Sequence, residues 1–263
     1  MSISRQSGAA TPGSGYTEHS TSPNSDRTAD RQIGRWGGIA ALAGVAGMVG
    51  AVAVVIAMGL PDASDVETLT DFADLESGRI AEHFLYLGAL ILFALHVFTQ
   101  QRLLSVAHPA AALFGTVVAA FGYVVLVASS VLHVTTAPLA ELHSSPDTPA
   151  QDLTSIEYAW RGTQAVYDTM LATGLLLVPI GIILLGIAMR STSSFGPRLG
   201  TFAIVFGLIG TVGAVVEIVD TEVELSALSV LAIVVFHLVV GLRTLKLGNA
   251  TDTGSADVQD PGI

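Results

Sequence analysis

The side chains in this sequence that could do chemistry stand inside or beside long apolar runs. There a charge or an unpaired polar group costs several kcal/mol and faces a protein interior or water. Glu82, Tyr86, His96 and Gln100 fall on one helical face, because positions 82 and 96 are nearly four turns apart. Glu82 and His96 would then be separated by roughly 21 Å along the axis. Thr116, Tyr123 and Ser130 recur at heptad spacing in the next run, with His133 one turn beyond. Arg161, Gln164 and Asp168 share a face of a later run, and Glu217 follows Gly210 and Gly213 in the one after. This spacing predicts a polar cluster at one membrane boundary, formed by Glu82, His133, Asp168 and Glu217 with Arg161 as counter-ion. Such a cluster suits a proton, a cation or a polar solute. The competing reading is a set of interfacial side chains that snorkel to water or pair structurally.

The imidazoles offer a second chemistry. His96 and His237 share a depth near one boundary, and His83 and His133 share one near the other. Paired histidines on neighbouring helices can ligate haem b iron axially, so these four are the haem-ligand candidates. His83 and His96 point about 140° apart, however, and no further haem motif accompanies them. A zinc site of carboxylates and histidines would make an intramembrane metallohydrolase, but no H-E-x-x-H spacing is present. The chain has no cysteine, which excludes disulfides, thiolate nucleophiles and thiolate metal sites. No residue is assigned a catalytic role, and no metal or cofactor is expected.

The elements that must position these groups follow from composition. Charged residues make up 13% of the 263 and hydrophobic ones 51%; a soluble domain carries about twice that charge. Six apolar runs, about 36–59, 80–100, 108–133, 164–189, 199–219 and 226–243, are each long enough to cross ~30 Å of hydrocarbon. The expected fold is all-α, a polytopic bundle of six transmembrane helices over 34–247, between disordered tails at 1–33 and 248–263. Nine of the eleven cations, Arg5, Arg27, Arg31, Arg35, Arg102, Arg190, Arg198, Arg243 and Lys246, fall on one side of this threading. The positive-inside rule makes that side cytoplasmic, with both termini there, in the cell membrane. Outer connections are acidic, with Asp62, Asp65, Glu67, Asp71, Asp74 and Glu76 in the first and Asp220, Glu222 and Glu224 in the last. In the loop at 134–163, Thr154 and Glu157 read as a capping box for the fourth helix, which places Tyr158 and Trp160 at headgroup level. Pro179 should kink that helix further along.

A net charge of −11 with ten Arg and one Lys is halophile-like and argues against nucleic-acid binding. The bilayer is the expected partner, with a homo-oligomer or another membrane subunit left open.

The first and fifth runs match at fixed spacing: RWGGIAALAGVAGMVGAV from Arg35 and RLGTFAIVFGLIGTVGAV from Arg198. Their hairpin partners each place a His six residues before an Arg, at His96 and His237. This predicts the first and last hairpins as parallel repeats about an axis near the membrane normal, while the middle hairpin shows no convincing copy. Gly44, Gly47 and Gly50, like Gly207, Gly210 and Gly213, line one side of a helix and predict close helix–helix seams.

Between 167 and 216 the chain resembles an uncharacterised six-helix membrane family, domain of unknown function 4386. Its fourth helix reads roughly G-L-x-L-x-P-x-G-x-x-L, matched here by Gly174, Leu175, Leu177, Pro179 and Gly181. A turn ending in P-R-x-L-G or a similar string follows, matched by Pro197 and Arg198 with Leu199 and Gly200 adjacent. The specific match covers about a quarter of the chain, and the long acidic loops and both tails depart from the compact pattern. The resemblance implies a fold and a membrane address, and it transfers no activity. The sequence thus describes an integral membrane protein, read first as non-enzymatic and handling a small solute or ion or serving as a partner subunit. The haem and hydrolase readings stay open behind it.

Overall fold

A computed structural model describes residues 23–61, 67–219 and 225–250, with side chains from 28 onward. Its helices are α1 (Pro23–Met58), α2 (Leu69–Leu104), α3 (Pro109–Val134), α4 (Ala137–Ser144), α5 (Ala150–Arg190), α6 (Gly196–Val219) and α7 (Ser226–Gly248). No strand occurs among the described residues. All but α4 are long and apolar enough to cross a membrane. Large apolar side chains such as Ile56, Phe84, Phe98, Phe121 and Val212 point outward. That distribution suits lipid as solvent, since hydrocarbon carries no penalty for contact with them. The structure is an all-α six-helix membrane bundle.

The six spanning helices form a closed ring in which each packs on the next, and α7 returns to α1. Of these, α2, α5 and α7 also touch one another across the centre. Hairpins α1–α2, α3–α5 and α6–α7 thus follow one another around the ring, each contributing its second helix to the middle. The sequence match between the first and last hairpins corresponds to one such step. In α5, Leu184 occupies the place six residues before Arg190 that histidine holds in α2 and α7.

Several helices outrun the bilayer. At 1.5 Å per residue, α2 (36 residues) and α5 (41 residues) extend about 54 and 61 Å. The first turns of both project at the end opposite Arg102 and Arg190. Thr68 caps α2 by accepting from the Asp71 amide at 3.2 Å. Asp71, Asp74 and Glu76 thus belong to helix. Asp62, Asp65, Asp220, Glu222 and Glu224 lie outside the described residues, as do 1–22 and 251–263. At the N-terminal side, α1 begins at Pro23, so 23–33 are helical where the sequence predicts a tail.

The segment expected as a loop at 134–163 is mostly helix. Here α4 and the start of α5 fold onto the projecting turns of α2, burying Leu69, Phe72, Ala137, Ala140 and Trp160 in a small separate core. The α5 helix starts at Ala150 behind Pro149, so Thr154 is inside it and not its cap. Glu157 faces His143 of α4 at 3.5 Å instead. Trp160 is buried edge-on against Phe72, at a centroid distance of 5.4 Å, while Tyr158 is exposed. A second apolar layer was available for the tryptophan, and it outcompetes the headgroup position.

The glycines work as predicted in part. Gly44 and Gly47 face Phe93 and Ala89 of α2; Gly207 and Gly210 face Ile183 and Pro179 of α5; Gly213 faces Leu225 and Ser229 of α7. The α5 helix runs unbroken through Pro179, whose ring lies in the space that Gly210 leaves. A further close seam, not expected from those stripes, lies where Gly115 and Gly122 of α3 interdigitate with Gly174 and Gly181 of α5. A Cβ on Gly181 would meet the Ala119 backbone nitrogen at 2.6 Å and the Gly115 carbonyl oxygen at 2.7 Å. Backbone cannot yield as a side-chain tip can. Gly181→Ala is therefore expected to destabilise the bundle by about 1–3 kcal/mol, read as a lowered thermal midpoint of the helical circular-dichroism signal in detergent. Gly88→Ala, with nothing within 4 Å of its added methyl, should be neutral or raise the midpoint.

Candidate functional site

Three helices bring polar side chains together at the centre. His96 and Gln100 lie one turn apart on α2, His237 and Thr244 two turns apart on α7, and Tyr123 sits in the middle of α3; all five are buried. The Tyr123 hydroxyl is 2.6 Å from His237 Nε2. His237 Nδ1 is 2.8 Å from His96 Nδ1. His96 Nε2 is 2.7 Å from the Gln100 side-chain amide, which also bonds the Thr244 hydroxyl at 2.8 Å. Thr244 donates in turn to the Val240 carbonyl at 2.8 Å. Phe93 lies flat on the His237 ring, with centroids 4.0 Å apart and 14° between planes. The result is a chain of hydrogen bonds walled by aromatic and apolar surface.

Its protons obey a strict count. A neutral imidazole has one N–H, so the facing Nδ1 atoms hold one proton between them. If Gln100 donates to His96 Nε2, then His96 Nδ1–H donates to His237 Nδ1, and His237 Nε2–H donates to the Tyr123 oxygen. In the reverse order Tyr123 donates to His237 Nε2, His237 Nδ1–H donates to His96 Nδ1, and His96 Nε2–H donates to the Gln100 oxygen after a half-turn of the amide. Both orders satisfy every imidazole nitrogen of the pair. In the first, Gln100 Oε1 has no partner among the described residues. Reversal requires the Gln100 amide to turn over and the Tyr123 O–H to swing toward or away from His237.

The predicted boundary cluster is arranged differently. Glu82 takes its cation from its own helix: Arg79, 1% exposed, donates from Nη1 to Glu82 Oε2 at 3.0 Å and from Nη2 to the Pro61 carbonyl. Arg161 is exposed. Asp168, half-buried, accepts from Gln164 Nε2 at 3.4 Å one turn away. His133 is stacked on His83, with centroids 4.7 Å apart and planes within 7°. It also touches Phe72 and Tyr167 beneath the α4 cap. Glu217 is half-buried on α6. Among the described residues, no three His, Asp or Glu side chains converge as a metal site would require.

The haem-ligand candidates pair as the depth argument suggests, but in contact. With 2.8 Å between Nδ1 atoms and both Nε2 atoms committed to Tyr123 and Gln100, His96 and His237 direct no ring nitrogen at an iron. His83 Nδ1 bonds the Arg79 carbonyl at 2.9 Å, and its ring lies stacked on His133 at 4.7 Å and 7°, which leaves no room for an iron between the two rings. These geometries do not fit axial ligation.

This is a multi-pass integral membrane protein. No family model, curated protein or solved structure matches the chain. Its site therefore rests on its own geometry.

Sequence spacing places Gln100 with His96 and aligns His96 with His237, but it gives Tyr123 no link to them and passes over Thr244. The signal for Thr244 is its place two turns after His237 on the same face, beyond an apolar run from Leu238 to Leu242. Arg79 was legible too, as an i, i+3 partner of Glu82. Removing one imidazole leaves the other's Nδ1 buried without a partner, so His96→Leu and His237→Leu should each cost about 1–3 kcal/mol. The double variant is expected to fall short of the sum by about 0.5–3 kcal/mol. A double-mutant cycle on thermal midpoints in detergent measures this, and strict additivity would mean the bond is not made.

Proposed function

We propose that this chain is a non-enzymatic membrane protein that handles protons, with the chain Thr244–Gln100–His96–His237–Tyr123 as the conducting element. The observation that carries the reading is the direct Nδ1–Nδ1 contact at 2.8 Å inside a buried chain with acceptors and donors at both ends. A proton reaching bare His96 Nε2 sends the Nδ1 proton to His237 Nδ1. The His237 Nε2 proton then passes to the Tyr123 oxygen, whose own hydroxyl proton leaves. One proton enters and one exits, and the chain is left in its reverse order, to be reset by turning of the side chains. The Thr244 hydroxyl, 3.5 Å from His96 Nε2, would turn its own hydrogen from the Val240 carbonyl to His96 and take the entering proton in its place.

The cations support an orientation. The pair Arg102–Asp30 at 3.0 Å and the contact of Gly248 with Arg35 gather the start of α1 and the ends of α2 and α7 at one end of the bundle. Arg190, Arg198, Arg243 and Lys246 follow from the threading. The positive-inside rule favours the cytoplasm for that end, with both termini there and the α4 cap outside.

Vesicles reconstituted with the protein and loaded with a pH-sensitive dye test the reading under an imposed potential. The wild-type protein should acidify or alkalinise the lumen faster than empty vesicles do. His96→Gln with His237→Gln should return the rate to that of empty vesicles, and Tyr123→Phe should lower it. Asp168→Asn and Glu217→Gln report separately on the boundary carboxylates. An unchanged rate in the double histidine variant makes the chain a structural feature.

A further inference from the structure

A groove between the first turn of α6 and the last turns of α7 lies apart from the histidine chain. It is an open groove of about 530 Å³, walled by Phe195, Phe202 and Leu242 and rimmed by Arg198, Arg243 and Lys246. Arg243 is half-buried and held in the wall by donating from Nε to the Ser194 carbonyl at 2.7 Å. Arg198 and Lys246 are exposed. Among the described residues none of the three is ion-paired, unlike Arg79 with Glu82 and Arg102 with Asp30; Arg35, Arg161 and Arg190 also lack an ion pair, but only these three line one groove. That convergence matters in a chain with 22 acidic residues against 11 basic ones. Three cations without a carboxylate, where carboxylates outnumber cations, are left for an anion from outside the described fold.

The surroundings say which anion. The cations stand at the ends of spanning helices, at the level where a bilayer changes from hydrocarbon to headgroup. Below them the wall is apolar and continues onto the outward-facing Val205, Leu238 and Leu242. A molecule that is anionic at the top and apolar below can enter sideways from the leaflet. In the first turn of α6 the Gly196 N–H is taken by the Thr192 carbonyl and Pro197 has none, so the turn adds only the Arg198 and Leu199 N–H groups toward a phosphate.

We propose that this groove binds the phosphate headgroup of an anionic phospholipid, with an acyl chain laid along Phe202 and Leu242. Both guanidinium groups and the ammonium face the phosphate, and the acyl chain replaces bulk lipid on the apolar wall. The site rests on the membrane assignment and not on proton handling.

The test uses the full chain purified in detergent and native mass spectrometry of lipid adducts. Phosphatidylglycerol should bind in preference to phosphatidylcholine of the same acyl chains. Arg198→Gln with Lys246→Gln, both at exposed positions, should weaken phosphatidylglycerol binding about 25-fold, about fivefold for each cation. Arg102→Gln with Arg161→Gln removes as much charge elsewhere and should leave it unchanged. Arg243→Gln is a separate arm, since it also releases Ser194. Equal binding of the two lipids, or equal losses in the two double variants, overturns the proposal. So does displacement of the lipid by inorganic phosphate at equal concentration, which would make the groove a free-anion site. Binding seen only after residues 251–263 are removed would assign the groove to the chain's own acidic tail and would equally overturn it.

Discussion

A polar side chain inside a bilayer has no water to fall back on, so each must find a partner in the protein or cost several kcal/mol. The bond between His96 and His237 is where this constraint binds hardest. Two imidazoles from helices far apart in the chain satisfy each other, and their remaining nitrogens need Gln100 and Tyr123. Moving α2, α3 or α7 away breaks a bond that nothing in lipid replaces. The glycine seams, by contrast, hold helices through close contact without naming a register. Apolar packing alone would tolerate sliding, and the buried chain does not.

The pairing also gives the internal repeat a physical meaning. Equivalent positions in the first and last hairpins meet through the same atom, Nδ1, at the centre of the ring. One shared proton cannot serve two identical nitrogens symmetrically, and the outer nitrogens have unlike partners, Gln100 for His96 and Tyr123 for His237, so the repeat is broken at its centre. Leu184 in the middle hairpin explains why the set has two imidazoles and not three. A third would have been left without an acceptor.

Fold and site were not equally legible in the sequence. Hydropathy shows every spanning helix, because a crossing needs a minimum apolar length. It cannot show that α2 and α5 continue past the bilayer, since turns in water can be helical or not. The cap of α4 over Phe72 and Trp160 depends on contacts that no local pattern encodes. The boundary cluster was drawn from depth alone, and depth does not fix azimuth: Glu82 could look toward α5 or back along its own helix to Arg79. The histidine pair was reachable because it repeats, and repetition carries azimuth as well as depth. Tyr123 and Thr244 have no counterpart to betray them.

The bond at the centre joins residues 141 apart. At about 5–20 residues per second, synthesis spends roughly 7–28 s between making His96 and making His237. Through that interval α2 is in or at the membrane with Gln100, one turn away, as its histidine's one partner on the same helix. The ring closes when α7 arrives, and α7 brings both the missing imidazole and the seam onto α1. The interaction that centres the finished bundle is thus among the last the chain can form. Until then, the cost of an unpaired imidazole falls on the machinery that holds the nascent helices.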